Sequence, residues 1–144
     1  MKDMVNHPAH YTSHPSGIEC IELTELLPFT LGNAFKYVWR CDDKGTPIED
    51  LEKARFYVKR WVDLAVPIAW TQVLGDAVSA ILARDIERVV RAEPDEKKGS
   101  TLGLIAAMAM NGDGGDEALN DAGYNSIVEA VGAYLDSMIN DRRN

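Results

Sequence analysis

The sequence contains only two cysteines, Cys20 and Cys41, and neither belongs to a CxxC pair. Disulfide frameworks and cysteine-based zinc sites need paired thiols, so neither class of protein is expected. Sparse cysteine usage of this kind is typical of a reducing compartment, and it predicts a cytoplasmic location.

Long hydrophobic runs are also missing. No segment approaches the ~20 apolar residues that a membrane-spanning helix needs. The N-terminal stretch MKDMVNHPAHY has no apolar core of the kind found in signal peptides. We therefore expect a soluble protein that has no membrane partner and is not exported.

Glycine-rich phosphate loops are absent as well. The sequence has no Gly-Lys dipeptide, which excludes a P-loop, and no GxGxxG motif. If this protein transfers a phosphoryl group, helix side chains must hold the phosphates instead of a glycine loop.

Positive charge is in short supply. The formal net charge is −8, of which residues 1–64 carry −2 and residues 65–144 carry −6. A general nucleic-acid binder needs a positive surface, so no nucleic-acid partner is expected. The basic groups of the first half are local features of an acidic protein, and they suit a small anionic ligand.

The residues that are present predict an all-α fold: a compact bundle of five or six helices behind an extended N-terminal arm. Prolines, a glycine and three histidines mark residues 1–17 as loop-like. Apolar residues at helical spacing predict helices over about 18–27, 31–41, 47–64, 73–93, 101–110 and 127–138. We predict a charged linker over residues 93–99, with Ser100 or Thr101 capping the next helix. The segment NGDGGD, residues 111–116, is predicted to be a loop.

The second and third of these helices carry the strongest functional signal. On the second helix, Leu31, Ala34, Phe35, Val38 and Trp39 share one face, and the opposite face presents Asn33, Lys36, Tyr37 and Arg40. Thr46, Pro47 and Glu49 give the third helix a capping-box start. Lys53 and Tyr57 follow one turn apart, and Lys44 lies in the connecting turn. An antiparallel pair would gather these cations in one groove, where an anion between them would relieve their repulsion.

Other interpretations of these residues remain open. Exposed basic side chains on a helix are commonly just solvated. His7, His10 and His14 have a spacing that suggests zinc, and the pairs Glu22/Glu25 and Glu49/Glu52 resemble the ExxE repeats with which all-α nucleoside triphosphate pyrophosphohydrolases hold magnesium. NGDGGD lacks the ligand pattern of an EF-hand.

Five blocks, NHPAHY, GIECIEL, LGNAFKYVWR, KG and EDLEKARFY, together resemble the bacteriophage nucleotide kinase-like family, otherwise described as a domain of unknown function. The resemblance covers about residues 5–64. It implies a phage early-gene product that binds or acts on nucleotides in the host cytoplasm during infection, and that assembles as a homo-oligomer. Members are described as nucleoside monophosphate kinases without a P-loop.

The resemblance also implies a set of site residues. The expected catalytic residues are Lys36, Arg40 and Asp50, and the expected substrate-binding residues are His10, Tyr11, Asn33, Tyr37, Lys44, Lys53 and Tyr57. Lys36, Arg40 and Lys53 would contact phosphates, Tyr37 or Tyr57 would face the base or sugar, and Asp50 would orient a cation or a hydroxyl. No metal-ligand set is expected, and a kinase would use ATP and Mg²⁺.

One departure from the family concerns the turn after the arginine. Where the family has a small, basic, glycine-containing turn, this chain has Cys41, Asp42 and Asp43. Two carboxylates beside a phosphate site would oppose binding unless a magnesium ion bridged them.

The leading hypothesis is a nucleotide-binding core over residues 1–64 with deoxynucleoside monophosphate kinase activity, and a helical extension over residues 65–144 that serves assembly. Three alternatives remain. The first is a sponge that sequesters a nucleotide-derived host immune signal, which would make the protein an anti-defence factor. The second is the magnesium-dependent pyrophosphohydrolase, and the third is a pure interaction protein.

Overall fold

The computed structural model describes residues 4–68, 75–110 and 117–144, and every helix or strand within these ranges is an α-helix. The all-α prediction is therefore confirmed. The described helices are α1 (Ala9–Thr12), α2 (Cys20–Thr24), α3 (Phe29–Arg40), α4 (Pro47–Ile68), α5 (Asp76–Ala92), α6 (Glu96–Met110) and α7 (Glu117–Arg143). The count exceeds the five or six predicted because α1 is a single turn inside the arm, which was expected to be extended throughout.

The α3–α4 pair forms the centre of the fold. α3 starts directly after Pro28, and its apolar face is fully buried. A turn with Gly45 at φ +76°, a conformation that glycine adopts without steric cost, leads to Pro47 as the first residue of α4. Arg40 at the end of α3 contacts Asp50 near the start of α4, so the two helices run antiparallel, as predicted.

Several predicted boundaries are wrong. α2 is shorter than residues 18–27, and α7 is longer than residues 127–138. α6 begins at Glu96, so residues 93–99 are not a linker. Asp95 caps it, since its Oδ1 accepts from the Lys98 N–H at 3.1 Å, whereas the Thr101 hydroxyl donates to a carbonyl within the helix. The NGDGGD loop and the predicted start of α5 near residue 73 lie outside the described residues.

A buried histidine fixes the N-terminal arm to the helices behind it. The side chains of His14 and Glu93 are both almost fully buried, and His14 Nε2 lies 3.0 Å from a Glu93 carboxylate oxygen. Because His14 Nδ1 accepts from the Ser16 N–H at 3.1 Å, the ring proton sits on Nε2 and is donated to Glu93. The ring also packs on Trp39, with centroids 4.6 Å apart. The arm thus has a fixed path across α3 and the end of α5.

A single hydrophobic core joins the two halves of the chain. α3 packs on α6 as well as on α4, and α7 packs on both α4 and α6. The Trp61 indole N–H donates to the Tyr124 hydroxyl at 3.0 Å and adds a polar contact between α4 and α7. The predicted boundary between residues 64 and 65 falls within α4. Because helices of the second half also pack on those of the first, the second half supports the first structurally. Its role in assembly stays a prediction.

In the described ranges, no helix combines the length and the apolar character needed to cross a bilayer.

An ionic cluster ties the end of α7 to the turn after α3. The Arg142 guanidinium donates to both oxygens of Asp42, at 2.8 and 2.9 Å, and lies 3.4 Å from Asp95; Lys98 Nζ is 3.8 Å from Asp42. These hydrogen bonds from Arg142 lower the pKa of the Asp42 carboxyl, against the opposing effect of its partial burial. The C-terminal helix therefore holds the turn that leads into α4.

We expect Arg142→Gln to destabilise the fold by about 1 kcal/mol, a modest value because Asp42 is half exposed and its charge is screened. Since Asp42 has a lowered pKa in the folded state, its stabilisation is present at neutral pH and is lost as the pH falls below about 4. Urea denaturation followed by circular dichroism at pH 7 and pH 3 measures both effects.

The neighbouring variant Arg143→Gln is the matched control. Arg143 pairs with Glu52 at 3.1 Å, but both side chains are half exposed, so its loss should change the unfolding free energy by less than about 0.5 kcal/mol. Equal effects of the two variants would show that Arg142 does not fix the turn.

Candidate functional site

A buried ion pair lies where α3, α4 and the arm meet. Arg40 donates from Nε and Nη2 to the two oxygens of Asp50, both at 3.2 Å, and from Nη1 to the Tyr11 hydroxyl at 3.0 Å. Asp50 is 1% exposed, and the Arg40 side chain is 14% exposed. A guanidinium has five N–H groups, so Arg40 keeps two for another acceptor. The pair joins two helices and the arm, and one edge of it still reaches the surface.

Next to this pair lies a surface that combines aromatic rings with cations. We call it the tyrosine face and define it as Tyr37 and Tyr57 with Lys36, Arg40 and Lys53. The two tyrosine rings are nearly parallel, at 12°, with centroids 5.9 Å apart. The three cationic groups lie 4.6, 4.8 and 5.6 Å from the Tyr37 centroid, for Lys36, Arg40 and Lys53 respectively. The structure thus brings together the phosphate-contacting and base-facing residues that the resemblance implies.

Lys36 is the most available of these cations. Its ammonium donates to the Asn33 amide oxygen at 3.1 Å, and Asn33 in turn donates to the Phe29 carbonyl. Within the described ranges no carboxylate lies close enough to form an ion pair with Lys36. Burial lowers the pKa of Lys36, and the neighbouring charge of Arg40 lowers it further. An anion placed here would reverse both effects, since it would neutralise a partly desolvated positive charge.

The other predicted binding residues lie around the same centre. Lys53 is paired with Glu49 one turn earlier on α4. The His10 ring contacts the Tyr11 ring with centroids 4.1 Å apart. The pKa of His10 is lowered by burial, then by the charges of Lys44 and Arg40. Lys44 is therefore close enough to the arm to add positive potential to the site.

The two acidic residues of the turn face different ways. Asp42 is held by Arg142 and Lys98, on the side of α6 and α7. Asp43 raises the pKa of His10, against the larger lowering effects, and so contributes negative potential near the arm. The expected pair of carboxylates beside the phosphate site is thus reduced to one, because the other is neutralised by cations from the second half of the chain.

The structure does not gather the alternative metal sites. The three histidines have separate partners: His7 pairs with Glu19, His10 packs on Tyr11 and His14 contacts Glu93. Glu22 closes the capping box of α2, Glu49 pairs with Lys53, and Glu52 pairs with Arg143. In the part of the chain that the structure describes, no three His, Cys, Asp or Glu side chains are arranged to hold a metal ion.

A pocket beside the tyrosine face was not predicted from the sequence. We call it the arm pocket: a cavity of about 270 Å³ between the arm and α2, with Lys36 at one side. Its lining residues are Val5, Asn6, Pro8, Tyr11, Thr12, Glu19, Cys20, Ile21, Thr24 and Lys36. Two of the lining residues, Val5 and Ile21, are strongly exposed, but exposure depends on the tertiary fold, so no local signal in the sequence marked the pocket.

The ion pair of Arg40 and Asp50 should stabilise the fold strongly. Arg40→Leu leaves the buried Asp50 carboxylate without its cation, so we expect the free energy of unfolding to fall by about 3–5 kcal/mol. Tyr11→Phe removes one hydrogen bond to a charged group and should lower the free energy of unfolding by about 1.5–3 kcal/mol. Denaturant titrations of both variants give these values. A cost for Arg40→Leu below that of Tyr11→Phe would contradict a structural role for the ion pair.

Comparison with known protein families finds a match over the same part of the chain. The model of a family described as a protein of unknown function (DUF3310) matches residues 5–59, which contain the arm, α1 to α3, the first half of α4 and all the predicted site residues. That description names no activity, and nothing in it indicates a nucleotide kinase. Neither the curated proteins nor the solved structures include a significant match to the chain. The segment from residue 5 to residue 59 is thus similar to this family, and it is the segment that carries the tyrosine face.

Proposed function

We propose that this protein binds a nucleoside phosphate on the tyrosine face. The observation that carries the proposal is the group of three cations around the Tyr37 ring, one of which, Lys36, has no carboxylate partner among the described residues. Arg40 and Lys53 have carboxylate partners, whereas the charge of Lys36 is opposed by that of Arg40, and a bound phosphate offsets this repulsion. The parallel rings of Tyr37 and Tyr57 offer the flat apolar surface on which a base or sugar packs.

The ligand in this proposal is small. A polyanion such as nucleic acid would meet the acidic remainder of a chain whose net charge is −8. A mononucleotide carries its charge within a few ångströms, and the basic groups of the site extend over a similar distance. Lys36 and Arg40 contact the phosphate, Lys53 adds charge from α4, and Asn33 orients Lys36.

The more specific form of the proposal rests on the resemblance to the phage nucleotide kinase-like family. In that form the protein is a deoxynucleoside monophosphate kinase in the infected host cytoplasm, works as a homo-oligomer, and uses ATP and Mg²⁺. The terminal P–O bond of ATP breaks, a new P–O bond forms to an oxygen of the monophosphate, and ADP and a deoxynucleoside diphosphate are released. Lys36 and Arg40 stabilise the charge on the transferred group.

Binding without turnover is the second candidate, and the position of Asp50 favours it. Both Asp50 oxygens accept hydrogen bonds from Arg40, and the side chain is buried. Asp50 therefore acts by positioning Arg40, and its burial keeps it from contacting a ligand at the surface. A protein that sequesters a nucleotide-derived signal needs only the binding groups.

Incubation with ATP, Mg²⁺ and each deoxynucleoside monophosphate, followed by chromatography, separates the two candidates. Formation of ADP together with a deoxynucleoside diphosphate supports the kinase. Tight binding with unchanged chromatograms supports sequestration.

The binding proposal predicts a specific effect of Lys36→Ala. Loss of one charged hydrogen bond to phosphate should weaken deoxynucleoside monophosphate binding about tenfold to a hundredfold, measured by calorimetry, without unfolding the domain. Lys59→Ala is the matched control, since Lys59 is an exposed lysine on α4 whose partner is Asp63, and its affinity should equal that of the wild type. Binding that is unchanged by Lys36→Ala, or no binding of any nucleotide to the wild type, would refute the proposal.

The proposal also predicts a ligand-dependent pKa of His10. In the free protein this pKa is lowered from 6.5 by burial, Lys44 and Arg40, so the ring is mostly neutral at pH 7. A bound phosphate opposes the two cations and favours the imidazolium, so the pKa should rise, with a proton taken up on binding at pH values between the free and the bound pKa. Proton NMR of the ring, with and without nucleotide, measures this. The signals of His14, which is enclosed by Trp39 and Glu93, should not shift when nucleotide is added. If nucleotide leaves the pKa of His10 unchanged or lowers it, the phosphate binds elsewhere.

A further inference from the structure

The arm pocket is built differently from the tyrosine face. Its walls are mostly apolar and come from two elements: Val5 and Pro8 from the arm, and Cys20 and Ile21 from α2. Cys20 is buried, and burial raises the pKa of its thiol to about 12, so this wall is neutral and unreactive at physiological pH. The pocket therefore suits an uncharged group with apolar faces.

The lining of the pocket also includes a few polar side chains. Thr12 and Thr24 lie on the lining, and Glu19 is occupied by His7 and by the capping box of α2. A volume of about 270 Å³ is just below the ~300–1000 Å³ of pockets for drug-sized ligands. The space thus fits one nucleobase, with or without part of its sugar, and is too small for a folded peptide segment.

Two residues connect this pocket to the tyrosine face. Lys36 lines the pocket and also lies over the Tyr37 ring. Tyr11 lines the pocket, and its hydroxyl accepts from Arg40. A group that fills the pocket therefore lies against Lys36 and against the tyrosine that is hydrogen-bonded to Arg40.

From this geometry we infer that the arm pocket is a nucleobase subsite, with the phosphate of the same nucleotide held by Lys36 at its mouth. The inference rests on the proposed nucleotide binding and places the base in the arm pocket, with the stacked Tyr37 and Tyr57 rings beside the sugar and phosphate. It gives the arm a binding role, because Val5, Pro8 and Tyr11 form one wall of the subsite.

Exposed apolar residues also line a second, shallow depression next to the pocket. Ile21 and Phe29, which are 62% and 80% exposed, line this depression together with Glu25 and Lys36. Apolar side chains on two sides of an ammonium without a carboxylate partner match a ligand with an apolar ring and an anionic end.

Methyl NMR of the full chain tests the subsite directly. Titration with the four deoxynucleoside monophosphates should shift the methyl signals of Ile21 and Thr24 through the ring current of the base, with nuclear Overhauser contacts from base protons to the Ile21 methyl groups. Inorganic pyrophosphate should bind without these shifts or contacts, because it has no ring.

A pair of variants supplies the affinity measurement. Ile21→Asn should weaken nucleotide binding about fivefold to tenfold through loss of apolar contact, and should leave pyrophosphate binding unchanged. Ile81→Asn is the matched control, since Ile81 is an exposed isoleucine on α5, away from the pocket, and should leave both affinities unchanged.

The outcomes separate this inference from the proposal beneath it. If nucleotides bind in a Lys36-dependent manner but neither the Ile21 signals nor the Ile21→Asn variant responds, the base lies elsewhere and the subsite is refuted while nucleotide binding stands. If pyrophosphate binds as tightly as the nucleotides, the protein recognises phosphate alone and the subsite is again refuted. If no nucleotide binds, both the subsite and the proposed nucleotide binding are refuted.

Discussion

The buried pair of Arg40 and Asp50 is the interaction on which the rest of the site depends. It joins the end of α3 to the start of α4 and, through Tyr11, attaches the arm to both. A carboxylate that is 1% exposed is costly unless it is paired and fully hydrogen-bonded. Because Asp50 holds the Arg40 guanidinium in one orientation, two N–H groups of Arg40 remain at a fixed place beside Tyr37. The same contact sets the position of Tyr11, and with it one wall of the arm pocket.

The second half of the chain supports this arrangement from behind. α6 and α7 complete the core under α3 and α4, and Arg142 neutralises Asp42 in the turn between them. His14 and Glu93 fix the arm from the side of α5. The acidic extension thus removes one of the two negative charges that would weaken phosphate binding. The resemblance to other proteins stops near residue 59, yet the site is not structurally independent of the residues that follow.

The sequence predicted the helical class and the polar face of α3 because both follow from local periodicity. The spacing of Leu31, Phe35 and Val38 determines which face is buried, and Pro47 marks the start of α4. The arm pocket, the pairing of Asp42 with Arg142 and that of His14 with Glu93 join residues far apart in sequence, and no local pattern encodes such contacts. The predicted start of α6 is wrong because Asp95 caps this helix, whereas the sequence suggested Ser100 or Thr101 as the cap.

A crystal structure of the chain grown with a saturating deoxynucleoside monophosphate would show where the phosphate binds. We expect a phosphate oxygen within hydrogen-bonding distance of Lys36 Nζ and beside the free edge of Arg40, with the Arg40–Asp50 pair intact. A nucleotide bound away from both α3 and α4, or a Lys36 side chain without a phosphate contact at full nucleotide occupancy, would contradict this expectation.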